Sequence, residues 1–245
     1  MKNKMPVVVL FIIIAILGFG LYAAYDRFFK PNTTLHNESE YEATANPNAA
    51  EEVESLGEFQ GTGTEAAGDI YYDPNRRYQI TPPENWKLMK SKRIIEAGKE
   101  QLPENLKSWV QPDKVDAMFM NLTDTDEVGN NLNIIILKER SLIFSEQVFE
   151  LFKDTVEKQY KSMNLKNYKL VKAERINFSG RTCAYFEIAL EMMNLDMYIT
   201  QLLIPGKRNA TLLTYTIVRK SLNDEMRNKI QKSINSFVPN EKMGY

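Results

Sequence analysis

The two residue types that most often bind metals or activate nucleophiles are almost missing from this chain. Its 245 residues include one cysteine, Cys183, and one histidine, His36. A lone cysteine excludes an intrachain disulfide, and one of each cannot form a zinc site of Cys and His ligands within one chain. His36 stands in a polar, acidic stretch, so Ser–His and Cys–His catalysis have no base to draw on. Net charge is also small, with 31 Lys+Arg against 32 Asp+Glu. No segment is basic enough to track a phosphate backbone, so nucleic acid is not an expected partner. No internal repeat is found.

What is present is distributed unevenly. Residues 6–25 read PVVVLFIIIAILGFGLYAAY and carry no charge. As a helix they would span about 30 Å, the hydrocarbon thickness of a bilayer. Lys2 and Lys4 precede the run, Asp26, Arg27 and Lys30 follow it, and Tyr22 and Tyr25 stand at an interfacial level. Residues 1–30 therefore read as a single-pass membrane anchor. The N-terminus is expected in the cytoplasm and the rest of the chain outside. The alternative is a signal peptide cleaved after Ala24, which would leave a secreted protein. Against it, the run is longer than the roughly 7–15 residues of a signal core, and Tyr22 occupies a position that wants a small side chain. No lipobox cysteine is present, so lipoprotein processing is excluded.

Residues 31–68 hold eight Glu and no Asp, Lys or Arg. They have too little branched apolar surface to offset the entropy of ordering and read as a disordered, self-repelling linker. A spacer is the plain reading, and a docking strip for a basic partner is the alternative. Asn32, Asn37, Asn121, Asn177 and Asn209 begin N-x-[ST] sequons, which matter only in a glycosylating secretory pathway.

Residues 69–245 form the expected folded domain, with a charge of +4. Ile70–Tyr72 and Tyr78–Ile80 read as short strands about an Asp73-Pro74-Asn75 turn, with Trp86 on a following loop. Residues 91–110 read as helical, broken near Pro103. Val115–Leu122 and Leu132–Lys138 read as strands. Ser145 caps a helix to about Met163, with Phe144 and Phe149 spaced for a hydrophobic staple. Its expected buried stripe is Val148, Leu151, Phe152, Val156 and Tyr160. Strands follow at about 168–178, 181–191, 195–204 and 210–218, and short links make them antiparallel neighbours. A helix capped by Ser221 closes the domain and buries Leu222, Met226, Ile230, Ile234 and Phe237. The fold class is α+β: an antiparallel sheet of about six strands covered by helices on both faces.

The opening Tyr71-Tyr72-Asp73-Pro74-Asn75, Arg77-Tyr78-Gln79-Ile80 and Pro83-Glu84-Asn85-Trp86 resembles the start of PsbP-like domains. The later helix, four-strand run and closing helix are also similar, so the resemblance covers about residues 69–238. It implies an α-β-α sandwich, and mostly binding modules rather than enzymes. The family shares no catalytic residues to carry over. Asn85 stands where that family often has Gly. The anchor and the 88–112 insertion depart from its photosynthetic members, so a photosystem role is not expected.

Several groups are candidate sites. Asp124, Asp126, Glu127 and Gly129 imitate the start of a calcium loop, but Val128 and Ile135 fall where ligands are required, so a polar hairpin loop is the plainer reading. Glu187, Glu191 and Asp196 lie near one hairpin and could pair as general acid and base, or simply decorate a sheet surface. Arg76 and Arg77, with Lys90, Lys92 and Arg93, could meet anionic head groups or stay solvated. Trp86 and Trp109 read as packing residues rather than ligand platforms. Cys183 reads as a small buried apolar residue, since nothing nearby would lower its pKa. No catalytic, metal or cofactor residue is assigned. The function expected is a non-enzymatic, membrane-tethered module that docks an envelope protein. A small-ligand or lipid-binding domain is the alternative, and a carboxylate-dependent hydrolase is a third reading.

Overall fold

The computed structural model describes residues 70–89, 115–121, 130–138, 144–162, 166–192, 195–207 and 209–240. The anchor at 1–30, the linker at 31–68, the helical stretch at 91–110 and the loop carrying Asp124, Asp126 and Glu127 lie outside these residues. Among the described residues no helix is long and apolar enough to cross a membrane.

The strands are β1 (Tyr71–Tyr72), β2 (Tyr78–Ile80), β3 (Trp86–Leu88), β4 (Val115–Asn121), β5 (Asn131–Lys138), β6 (Lys166–Phe178), β7 (Arg181–Met192), β8 (Leu195–Pro205), β9 (Asn209–Val218) and β10 (Val238–Pro239). Helix α1 (Glu146–Ser162) joins β5 to β6, and α2 (Asp224–Asn235) follows β9 after a 3-10 turn at Arg219–Ser221. The main sheet has seven antiparallel strands in the order β3-β4-β5-β9-β8-β7-β6, and β1-β2-β10 form a second, three-stranded sheet. α1 thus carries the chain from the middle of the sheet to its edge. The meander β6 to β9 then returns it to pair with β5.

Tight turns set this register. Between β6 and β7 Ser179 and Gly180 have φ of 50° and 76°, and the Asn177 carboxamide accepts the Gly180 N–H at 3.1 Å. Two left-handed residues match the twist of a two-residue hairpin, and only glycine adopts that conformation without steric cost.

The expectation of about six strands is corrected to seven in the main sheet, because Trp86 opens β3 instead of lying on a loop. After Pro82-Pro83, Asn85 turns left-handed (φ 68°) and the Trp86 N–H bonds the Pro83 carbonyl at 3.1 Å. The chain reverses into register with β4, Trp86 facing Asn121 and Leu88 facing Phe119.

The two faces of the sheet are both covered. On one, Phe149 and Phe152 of α1 pack on Phe186, their ring centroids 5.8 and 5.9 Å away. The Ser145 hydroxyl accepts the Val148 N–H at 3.3 Å, so the expected cap is present. The expected stripe needs one correction: Leu151 is 53% exposed and Phe149 is buried in its stead. At ~100° per residue, Phe149, Phe152, Val156 and Tyr160 lie within an arc of about 80°, and Leu151 falls far outside it.

On the opposite face α2 buries Met226, Ile230 and Ile234 against Leu202, Leu213, Tyr215 and Ile217. Its cap is Asn223, whose side chain accepts the Met226 N–H at 2.8 Å; the expected cap, Ser221, ends the preceding 3-10 turn. Bonds from Leu222 N to Arg219 O and from Asn223 N to Ser221 O tighten the chain as it leaves β9 and move the helix start two residues onward. Asp224 and Glu225 then fall in the first turn, where the helix dipole favours negative charge.

The small sheet is clasped from both ends of the domain. Ser236 exchanges hydrogen bonds with the Thr81 backbone at 2.8 and 3.2 Å, and the Phe237 ring stacks on Tyr78.

Candidate functional site

Side chains alternate along a strand, so Tyr185 and Glu187 point to the α2 face of β7 together. The antiparallel register puts Lys172 of β6 directly opposite Glu187 on one side and Tyr198 of β8 diagonally across on the other. The Glu187 carboxyl accepts the Tyr185 hydroxyl at 2.7 Å on one oxygen and the Tyr198 hydroxyl on the other. Arg227, from the first turns of α2, lies over the Tyr198 ring at 5.1 Å. Lys172 lies over the Tyr185 ring at 5.4 Å and forms an ion pair with Glu174 at 2.6 Å.

One carboxyl group therefore fixes two tyrosines, and each tyrosine presents its ring to a cation. Burial raises the Tyr185 hydroxyl above its ordinary range, and its bond to Glu187 adds to the shift. Burial likewise raises Tyr198, again with help from Glu187. Both phenols stay protonated and donate at neutral pH. The Tyr198 hydroxyl also holds the Arg227 guanidinium in its charged form. The group is partly open to solvent and its side chains are held in place. Tyrosine and arginine are the residues that carry most energy when protein surfaces meet.

Of the three carboxylates singled out in the sequence, the structure brings only two face to face. Glu191 and Asp196 are opposite one another near the end of the β7–β8 hairpin, where Asp196 is exposed. The Glu191 carboxyl also accepts the Asn167 side-chain N–H at 2.7 Å. Glu187 is four residues along the strand from Glu191, about 13 Å by backbone rise. Among the described residues no three His, Cys, Asp or Glu side chains are placed to hold a metal ion.

A comparison with protein-family models finds none that matches, and the curated proteins contain no match either. Solved structures do match. The chain is similar to cyanobacterial PsbP. That solution structure, from Synechocystis, is 18% identical, covers 76% of this chain and 99% of its own, and superposes with a TM-score of 0.49. LpqN of Mycobacterium tuberculosis, described as involved in cell envelope biogenesis, is 11% identical over 70% of this chain and 90% of its own, with a TM-score of 0.39. A Bacteroides thetaiotaomicron protein is 10% identical over 74% of this chain and 50% of its own, with a TM-score of 0.43. The first match and the resemblance read from residues 71–86 concern the same family. At these identities and scores the likenesses assign no ligand, partner or activity.

The remaining candidates sort by position. Arg77 is neither solvated nor open to a head group. It forms bonds of 2.7 and 2.8 Å to the two oxygens of Asp73 and a further ion pair with Asp116, which also accepts the Tyr78 hydroxyl at 2.8 Å. Trp86 is buried in the core on the α2 face, in keeping with a packing role. Cys183 is fully buried, and burial pushes its thiol from 9.0 up to about 12. Asn121 is buried in β4, closed to a glycan in the folded domain, whereas Asn177 is exposed near the end of β6. Trp109, Lys90, Lys92 and Arg93 lie outside the described residues.

Tyr185, Tyr198, Arg227 and Lys172 were missed in the sequence. The spacing Tyr185-x-Glu187 in a strand was a usable signal for one contact. The other three depend on strand register and on where α2 lands.

Proposed function

We propose that this protein is a non-enzymatic accessory module, tethered to a membrane through residues 6–25, whose domain docks a protein partner outside the cytoplasm. The single observation that carries this reading is the Glu187 cluster, in which two tyrosines and an arginine are held ready on a partly open face. Fixing these side chains beforehand lowers the entropy lost when a partner arrives. The uncharged run at 6–25 and the eight glutamates of 31–68 support the tethered part of the reading.

The test uses the full chain in intact membranes with a photo-crosslinking residue in place of Lys172, at the margin of the cluster. The expected result is a discrete protein adduct that disappears when Tyr198→Ala and Arg227→Glu are combined. Adducts only to lipid and bulk protein, or an adduct indifferent to those changes, would overturn the proposal. Protease added to one side of the membrane checks the topology: the domain should be digested only from the extracytoplasmic side.

A further inference from the structure

The main sheet ends on one side at β3, which has 3 residues, and on the other at β6, which has 13. Among the described residues β6 pairs only with β7. A long outer strand carries a row of main-chain donors and acceptors that another strand can use, and folded proteins usually break or charge such an edge. β6 is broken only in its first half. Its register shifts between Lys166 and Lys169 and again between Leu170 and Lys172, and Asn167 has φ of 53°. From Lys172 to Phe178 every residue keeps its partner in β7 without interruption.

Pairs along an antiparallel ladder alternate between those that exchange both N–H···O bonds and those that exchange none. Phe178 and Arg181 flank the two-residue turn and are of the first kind. Ile176, Glu174 and Lys172 therefore face β7, whereas Ala173, Arg175 and Asn177 turn their N–H and C=O groups outward. Charge then limits what can pair there. Lys166, Lys169, Lys172 and Arg175 stand in β6 against Glu174 alone. Lys172 shares Glu174 at 2.6 Å and Arg175 is 3.8 Å from Glu146 of α1, while Lys166 and Lys169 are exposed. A second copy of the chain is a poor occupant. A two-fold axis centred on Lys172–Phe178 sets Arg175 against itself, and like charges directly opposite are destabilising.

We propose that β6 is a docking edge that takes an extended, acidic segment of a partner protein as an eighth strand of the main sheet. Main-chain bonds to Ala173, Arg175 and Asn177 supply the hold, and the cations of β6 supply the selection. This rests on the docking reading above and says how the partner is held. Lys172 stands opposite Glu187 and over the Tyr185 ring, so the added strand runs about 4.8 Å beyond the margin of that cluster.

Main-chain bonds ask little of sequence, so the probe is a peptide of about nine residues alternating glutamate with valine, and a lysine–valine peptide is its control. The full chain in detergent is followed by amide hydrogen exchange, read residue by residue. The glutamate peptide should slow the Ala173, Arg175 and Asn177 amides by at least about tenfold, and the lysine peptide should not. Ala173→Pro removes one outward N–H and no bond to β7, so it should abolish the slowing in a folded chain. Lys169→Glu combined with Arg175→Glu, both outside the Glu187 cluster, should transfer the preference to the lysine peptide. No slowing by the glutamate peptide, or equal slowing by both, would overturn the proposal. So would outward amides already slow without peptide, since the chain would then cover its own edge. The membrane crosslink separates this inference from the docking reading. A Lys172-site adduct that persists in Ala173→Pro overturns the added strand and leaves the docked partner standing. Slowing by the glutamate peptide with no adduct in the otherwise unaltered chain does the reverse.

Discussion

Replacing Arg77 tests whether the domain is closed by an ion network or by its apolar core alone. Its guanidinium lies between Asp73, whose side chain is 1% exposed, and Asp116, at 18%, while its own side chain is 13% exposed. Its backbone N–H also bonds Asp73, at 3.0 Å. Arg77→Met keeps the length of the stem and removes every charged donor, leaving two carboxylates facing each other and the Asp73 side chain without its cation. Breaking a buried pair by removing one partner costs about 3–5 kcal/mol, and the partial exposure of Asp116 places the expectation near the lower end, about 3 kcal/mol. For a domain of this size that is a fall in melting temperature of roughly 6–12 °C. Urea unfolding of the full chain in detergent, followed by far-UV circular dichroism, reads the change as a shifted midpoint at constant slope. Adding Asp116→Asn to Arg77→Met should return part of the loss, since the second change removes one of the stranded charges. A loss below about 1 kcal/mol, the range of an exposed pair, with no recovery in the double variant, would refute the reasoning.

Three further outcomes are expected. Ser179→Gly should stabilise the domain by up to about 1 kcal/mol, because Ser179 has φ of 50° and glycine tolerates that region freely; an unchanged or lower urea midpoint counts against it. Asn223→Ala should cost about 1 kcal/mol through loss of the α2 cap, read in the same assay, and a neutral result would mean the cap bond is dispensable. Cys183 should not react with a thiol reagent at pH 8 until the protein unfolds. With the folded thiol raised from 9.0 to about 12, its contribution to stability is complete below pH 9 and declines as the pH climbs from 9 through 12; rapid labelling of the folded chain would contradict this.

The elements most legible in the sequence were those whose signal is local. The Ser145 cap, the Ser179-Gly180 hairpin and the stripe Met226, Ile230, Ile234 and Phe237 each follow from spacing along a few residues. β3 was missed because the alternation of Trp86, Lys87 and Leu88 is only three residues long and directly follows the turn after Pro82-Pro83; its strand character comes from pairing with β4. The start of α2 was misplaced because Ser221 and Asn223 are both acceptable caps, and the 3-10 turn that chooses between them forms only as the chain leaves β9. Leu151 reads as buried in the sequence because the helical pattern shows which residues share a face, not which arc meets the sheet. The site was less legible than the fold for the same reason. Glu187 was visible as a carboxylate, but apart from Tyr185 its neighbours Lys172, Tyr198 and Arg227 come from three other elements.

Helix α2 runs between the two ends of the domain. Its beginning holds Arg227 over Tyr198, and the chain just past its end stacks Phe237 on Tyr78, beside the strand that opens the described domain at Tyr71. Twelve residues of helix measure about 18 Å, so α2 is a strut of fixed length between the small sheet and the Glu187 cluster. A partner seated at Glu187 would approach from the end away from the segment preceding Ile70. On the proposed reading, in which that segment leads to an anchor and the cluster holds a partner, the two loads would meet across the small sheet and α2 and so act in series.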